Sequence, residues 1–359
     1  MIFQRAVRRE FANLALAVFV ALLAILLTTQ LIRLLGQAAG GKLASEAVVA
    51  LLGFGALNYL PVLLSLTLFI SVLLTLSRHY RDSEMVVWFS SGVPLTAWVR
   101  PVMLFALPIV AVIAALSLFL SPWALEKAAE YRVRTNTRDD VSQVVPGAFR
   151  ESSGAERVFF VEAVAGDERL VRNIFISSSQ HGRLSVIMSA EGYQETAANG
   201  DRFVVLANGR RYEGKPGTPE YRITEFERHA VRIETKEAQG IENSPKYLQP
   251  WQLLRDPSNA NKGELLWRVG VPLAAFNLAL LAIPLSFMSP RAGRTNNLVL
   301  ALLTYMIYSN LISVSQAWVI QGRLSFEIGT WLVHMVMFVF LVLLFFRRIA
   351  VFSWLRVGI

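Results

Sequence analysis

Six charge-free apolar stretches mark this chain, three before a long polar block and three after it: Phe11 to Ile32, Ala47 to Ser77, Pro101 to Leu125, Val269 to Pro290, Thr295 to Gly322 and Ile328 to Phe346. A bilayer core about 30 Å thick is crossed by about 20 helical residues, so each stretch predicts a membrane-spanning helix. The second is longer than a bilayer requires, and Pro61 is expected to divide or kink it. Between spans three and four the period changes. Arg157 to Val164, Leu170 to Ser179, Arg183 to Thr196, Arg202 to Gly214 and Tyr221 to Glu234 alternate or cluster apolar residues at strand length. Turn formers such as Asn199-Gly200-Asp201 and Lys215-Pro216-Gly217 separate them. This predicts an antiparallel meander, a sandwich or an open barrel. Strand alternation turns Val158, Phe160, Leu184, Val186, Phe203 and Val205 inward. They are core if the sheet is sealed and the lining of a trough if it is open. Ala124 to Arg134 and Tyr247 to Leu254 read as helical leads on either side. The fold class is an α-helical integral membrane protein with six transmembrane helices plus an all-β, jellyroll-like domain inserted between helices three and four. Its expected divisions are 1–125, 126–264 and 265–359.

Composition agrees: 54% of the 359 residues are hydrophobic and 17% charged, too apolar for an ordinary soluble domain of this length. The net charge of +9 is distributed as membrane topology requires, which argues against a nucleic-acid surface. Arg5, Arg8 and Arg9 precede span one, Arg78 and Arg81 follow span two, Arg291 and Arg294 follow span four, and Arg347, Arg348 and Arg356 follow span six. The opposite short loops hold Arg33, Lys42 and Arg323. Short cytoplasmic loops collect Lys and Arg, so both termini are expected in the cytoplasm and the β-block outside it. The first apolar run exceeds the about 7–15 residues of a signal-peptide core, so it reads as a span. Without cysteine, no disulfide or thiolate chemistry is expected.

None of the six stretches contains Asp, Glu, Lys or Arg, the residues that ion-coupled pumps place in the membrane interior. No 3+3 internal repeat is visible. Energy for any transport is therefore expected from a partner. The loop after span two offers that partner a handle. Asp82 or Ser83 is the expected N-cap of a short helix at about 82–92, Glu84 lies in its first turn, Gly92 stops it and Pro94 follows. Met85, Trp88 and Phe89 share one face, an apolar knob beside Arg78, Arg81 and a carboxylate. The pattern fits either docking in a cleft of a cytosolic protein or lying flat on the membrane surface.

Span five is the most polar, with Tyr305, Ser309, Ser313 and Gln316 near one face; this is the pattern of hydrogen-bonding contacts between helices. Catalytic patterns are weak. His79, His181, His229 and His334 are scattered without HExxH or GxSxG, and no cofactor or metal site is expected. Gly209 to Lys215 spells GxxxxGK but is followed by Pro216 and sits among strands, which denies it the strand-loop-helix setting of a nucleotide site.

The Asp82-Ser83-Glu84-Met85 run ending at Ser91-Gly92, the three-plus-three spans around a β-domain, Leu266-Trp267-Arg268 leading into span four, and Pro284-Leu285-Ser286 followed by Pro290-Arg291-Ala292-Gly293-Arg294 together resemble the lipopolysaccharide export permeases of the LptF/LptG family. The Pro-Arg-x-Gly-Arg loop is nearer that family's F-type subunit than its G-type. The resemblance implies a non-hydrolytic inner-membrane subunit of a Gram-negative ABC transporter, paired with a G-type sister and two LptB-like ATPases. It implies that lipopolysaccharide passes to LptC-like and LptA-like β-jellyroll proteins. Glu84, with Arg81, Asp82, Ser83 and Met85, would couple to the ATPase. Arg33, with Gln30 one turn before it, would meet lipid phosphate. Tyr305, Leu311 and Ile312 would meet the lipid at a gate in span five, and Phe160, Val186 and Phe203 would meet acyl chains. The competing expectations are a permease or force-transmitting subunit of a different ABC system, and a membrane-anchored scaffold.

Overall fold

The computed structural model describes residues 2–40, 43, 45–142, 149–151, 157–165, 170–180, 183–196, 202–214, 221–232, 244–287 and 294–354. The chain divides into two compact units, one of Met1–Arg33, Val49–Ala128 and Asn243–Ile359, the other of Leu34–Val48 and Ala129–Glu242.

The first unit is a helix bundle. Its helices are α1 (Ile2–Ala39), α2 (Ala47–Arg81), the short α3 (Glu84–Ser90), α4 (Val99–Ala115), α5 (Ser121–Ser142), the short α6 (Pro250–Arg255), α7 (Asn259–Leu285), α8 (Arg294–Ile320) and α9 (Phe326–Trp354); α1, α2 and α5 run on into the second unit. Six helical segments are long and apolar enough to cross a membrane: Ala6–Ala39, Ala47–Arg81, Leu95–Arg132, Asn259–Leu285, Val299–Ile320 and Phe326–Ile349. They match the six sequence stretches in order. α2 and α7 form the interior, burying 72% and 78% of their most apolar stretches, whereas α1 buries 6%. Over residues 6–33 of α1 only Val7 and Phe11 are fully buried, Val18 packs partly buried against the core, and much of the rest is exposed, as in a helix meeting lipid or another chain.

Two irregularities differ from expectation. Pro61 does not divide span two, since α2 runs unbroken through it. Span three instead carries one π-helical turn, Leu116–Leu120, between α4 and α5. Span four starts earlier than its charge-free stretch, at Asn259, because Glu264 and Arg268 neutralise one another on one face of α7 and so can enter the bundle. Arg268 is 2% exposed; its Nε donates to Glu264 at 2.9 Å. Its remaining nitrogens donate to the carbonyls of Leu248 at 2.7 Å, Pro245 at 3.0 Å and Lys246 at 3.1 Å. The carbonyl of Arg268 accepts from Ser117 in the π turn at 3.0 Å. One side chain thus fastens the returning chain to α7, and its own backbone fastens α7 to span three.

The second unit holds a six-stranded antiparallel sheet in the order β1 to β6: Arg150–Glu151, Arg157–Ala165, Leu170–Gln180, Arg183–Thr196, Arg202–Gly214 and Tyr221–Arg232. Each strand pairs with the next, so of the topologies left open the meander is realised. Asn173 and Asn208 take left-handed backbone angles, φ 51° each, and flank Ala190 in the register, an element of shape that alternation does not encode. A side chain at Gly209 would come within 2.5 Å of the Met188 carbonyl and of the Phe226 ring, so glycine lets two strands and an aromatic close up there.

Candidate functional site

Three places in the fold collect the residues singled out by sequence. The first lies at the foot of the bundle, where α1 begins and α2 gives way to α3. Ser83 occupies the N-cap position with φ 60° and makes no side-chain cap, so the expected cap is absent; a left-handed residue turns the chain instead. Asp82 is drawn to Arg81 at 3.3 Å and to Arg78 at 4.0 Å. Gly92 ends the helix as expected, at φ 86°, with its N–H donating to Phe89 and that of Val93 to Trp88, both at 3.0 Å.

The apolar knob is reversed. Met85 is 1% exposed and packs, with Trp88 and Phe89, into the bundle core, whereas Val86 and Val87 are each 64% exposed. Helical spacing identified the face but could not say which side already had a partner, and the bundle supplies it. The outward surface of α3 is therefore Ser83, Val86, Val87 and Ser90. Glu84 remains partly open while its carboxylate contacts His79 Nδ1. The other nitrogen of His79 faces Glu10 of α1 at 3.2 Å, and Arg78 pairs with the same Glu10 oxygen at 2.8 Å. Glu10 and His79 were not singled out by sequence. Glu10 is one carboxylate among the N-terminal arginines, and its partners lie far along the chain.

The second place is the open face of the sheet. Phe160, Phe175, Met188, Arg210 and Glu225 stand directly opposite one another across β2 to β6, and Val158, Ser177, Val186, Tyr212 and Ile223 form the next rung. Met188 is 50% and Ile223 61% exposed, and exposed Phe149 stacks on Phe160 with ring centroids 4.7 Å apart. A groove of about 990 Å³ runs over Phe160, Phe175 and Met188 toward Tyr212 and an Arg210–Glu225 ion pair of 2.8 Å, and Ile174 and Phe226 also contribute to its lining. That carboxylate raises the Arg210 pKa above its ordinary value, so its charge is secure. The sealed side is the other one, where Ile174, Ile176 and Ile187 cluster with Leu206 and Phe226. Val158, Phe160, Leu184 and Val186 are therefore the lining of an open face, while Val205 is buried. Of Phe203 only the strand position, opposite Glu195 and Arg232, is described. Gly209 of the GxxxxGK run lies within β5, and Lys215 is outside the described residues.

The third place is α8. Tyr305 donates to the Val62 carbonyl of α2 at 3.2 Å and so joins two helices, whereas Ser313 donates to the Ser309 carbonyl of its own helix at 3.0 Å; Ser315, outside the expected face, donates to the Gly329 carbonyl at 2.7 Å. Inside the bundle, Asn277 of α7 donates to the Tyr308 oxygen at 2.9 Å and to the His334 carbonyl at 3.3 Å, while the Tyr308 hydroxyl meets His334 Nδ1 at 2.7 Å. Leu311 is 38% exposed, but Ile312 is 3% exposed and packs against Gly270, which makes it core in this chain and not gate lining. Arg33 is exposed near the far end of α1, and Gln30 is half-buried. Among the described residues no His, Asp and Glu group is placed to hold a metal.

Known proteins match this chain over most of its length. Residues 5–347 match the family described as lipopolysaccharide export system permease LptF/LptG. The lipopolysaccharide export system permease protein LptF of Escherichia coli K12 is 26% identical over 340 residues, covering 94% of this chain and 92% of the relative. The LptF proteins of Escherichia coli O157:H7 and Shigella flexneri match to the same extent. The six apolar helices, the β-sheet unit between the third and fourth and the match over nearly the whole length lead to one conclusion: the chain belongs to the LptF/LptG family of lipopolysaccharide export permeases.

Proposed function

We propose that this chain is the F-type permease subunit of an inner-membrane ABC transporter. It takes lipopolysaccharide from the membrane and hands its acyl chains along the open face of the β-sheet unit. The energy comes from ATP hydrolysed in a separate ATPase that docks on α3. Both termini and α3 lie in the cytoplasm and the sheet unit in the periplasm, in keeping with the arginines at one set of span ends. A G-type sister subunit covers part of the exposed α1 and α8 surfaces, and LptC-like and LptA-like β-proteins continue the sheet by strand addition.

The observation that carries the reading is the sheet's asymmetry. One face is sealed by Ile174, Ile176 and Ile187, and the other leaves Phe149, Met188 and Ile223 uncovered beside a charged pair. An amphiphile with several acyl chains and phosphorylated sugars needs both kinds of surface, an apolar floor and a cation that stays charged. At the other end of the path, Arg33 offers a guanidinium at the outer membrane edge for a lipid phosphate, with Gln30 one turn away, and Leu311, unlike Ile312, is exposed enough to line the entrance. Glu84, together with Ser83, Val86 and Val87 on the outward side of α3, receives the ATPase.

Adjacent strand positions give the test its control. Photoreactive residues at Met188 and at Ile187 lie side by side in sequence but on opposite faces. With the assembled transporter and ATP, lipopolysaccharide is expected to crosslink at Met188 and not at Ile187. Crosslinking at Ile187 in preference, or at neither, overturns the proposed path.

A further inference from the structure

α1 is built as a lever with a single foot. Over residues 6–33 its fully buried residues are Val7 and Phe11, with Phe11 against Phe105 of α4 at 5.4 Å between ring centroids, and Val18 packs partly buried against the core above them. Glu10 sits between those two residues in sequence and is a point where charge from the neighbouring helix reaches α1. Arg78 holds it at 2.8 Å, and His79 Nε2 faces the same oxygen at 3.2 Å. His79 is 5% exposed on its side chain, lies 5.6 Å from the fully buried Trp98 ring, and turns its other nitrogen to Glu84, the first residue of α3.

From this geometry we infer that His79 and Glu10 are positioning residues that pass a displacement of α3 to α1, through the chain of contacts Glu84–His79–Glu10. The inference rests on the reading that an ATPase engages α3. An imidazole suits the task because it is rigid and carries a nitrogen on each side: Nδ1 hydrogen-bonds Glu84, Nε2 faces Glu10 in a contact without hydrogen-bond geometry, and a ring with hydrogen on both nitrogens attracts both carboxylates. Its burial against Trp98 leaves it little freedom to swing away. A pull on Glu84 then tilts α1 about the Val7–Phe11 foot. With a rise of 1.5 Å per residue, a tilt of about 5° moves the far end of residues 6–33, about 40 Å off, by about 3–4 Å. That end carries Arg33. Between Phe11 and Arg33 no residue of α1 is fully buried and Val18 packs only partly buried against the bundle core, so this length is lightly held by the chain.

The test uses the full transporter in proteoliposomes, with wild-type chain, His79→Leu, His79→Gln and Glu10→Gln compared at matched amounts of assembled complex. Two quantities are read: the ATPase rate, and lipopolysaccharide released to an acceptor per ATP consumed. His79→Leu and Glu10→Gln are expected to keep the ATPase rate within about twofold while the release per ATP falls at least about fivefold. His79→Gln, whose amide still offers two N–H groups, recovers most of it. A merely structural role would lower the yield of complex and leave the ratio unchanged. If His79→Leu does not assemble, Glu10→Gln carries the same readout. An unchanged ratio in the variants, or a proportional loss of ATPase and release, overturns the inference while ATP-driven release by the wild type leaves the transporter reading standing. Absence of ATP-driven release in the wild type removes that reading and the inference with it.

Discussion

Arg268 shows how much one side chain can organise in this bundle. It was visible in the sequence only as part of the Leu266-Trp267-Arg268 run at the edge of a charge-free stretch, because its partners, the carbonyls of Pro245, Lys246 and Leu248, are backbone atoms that no side-chain pattern announces. Removing it strands the buried Glu264 and three carbonyls. Arg268→Ala is expected to destabilise the protein by about 3–5 kcal/mol, measured as a fall in thermal or denaturant stability in detergent. Arg268→Lys should recover little, since an ammonium cannot span the same fork of acceptors. The Asn277–Tyr308–His334 cluster is a weaker case. Polar contacts inside a membrane bundle are worth little each, so Tyr308→Phe is expected to cost about 0.5–1.5 kcal/mol in the same assay. Gly209→Ala forces a methyl against the Met188 carbonyl and the Phe226 ring, with an expected cost of about 1–3 kcal/mol. A cost near zero would mean the strands yield there.

At the level of elements, periodicity was a good guide to where structure lies and a poor one to which way it faces. Five strands fall within a residue or two of the sequence segments, because period-2 runs between turn formers have few alternative conformations. β1, only two residues long, has no pattern to read. For α3 the stop at Gly92 was legible, since a helix end followed by proline needs a left-handed residue that glycine supplies. The outward face was not, because Met85, Trp88 and Phe89 look the same from sequence whether they bury against their own bundle or against a partner. This yields paired expectations. Met85→Ala should lower stability by about 2–5 kcal/mol, as truncation of a buried methionine does. Val87→Asp should leave stability unchanged and weaken co-purification of the ATPase by about tenfold. If Met85→Ala instead loosens the ATPase with stability intact, the face assignment is reversed.

For the whole molecule, the six spans and the inserted sheet were legible from the lengths of the apolar stretches and the change of period between them, and the match to the LptF/LptG family over residues 5–347 agrees with it. What the pattern could not convey is function by exposure. Alternation marks two faces of a sheet without saying which is covered, and here the face with Phe160 and Met188 is open while that with Ile176 and Ile187 is closed. The same holds for the bundle, where α1 and α8 expose apolar surface that a sister subunit or lipid must meet, and where Ile312 turned inward although its neighbour Leu311 did not. Function in this family is thus divided. The chain supplies helices and an open sheet, and a hydrolytic partner docking on α3 is proposed to supply the energy.

That division is tested most directly by ATP-driven release of lipopolysaccharide from proteoliposomes containing this chain, a G-type sister subunit and the ATPase. Wild type and Glu84→Ala are compared at equal amounts of assembled complex. The expected result is release that depends on ATP in the wild type and is reduced at least about tenfold by Glu84→Ala. Equal release by the two proteins would contradict the role of α3 as the point where force enters, and absence of ATP-dependent release in the wild type would contradict the proposed transport itself.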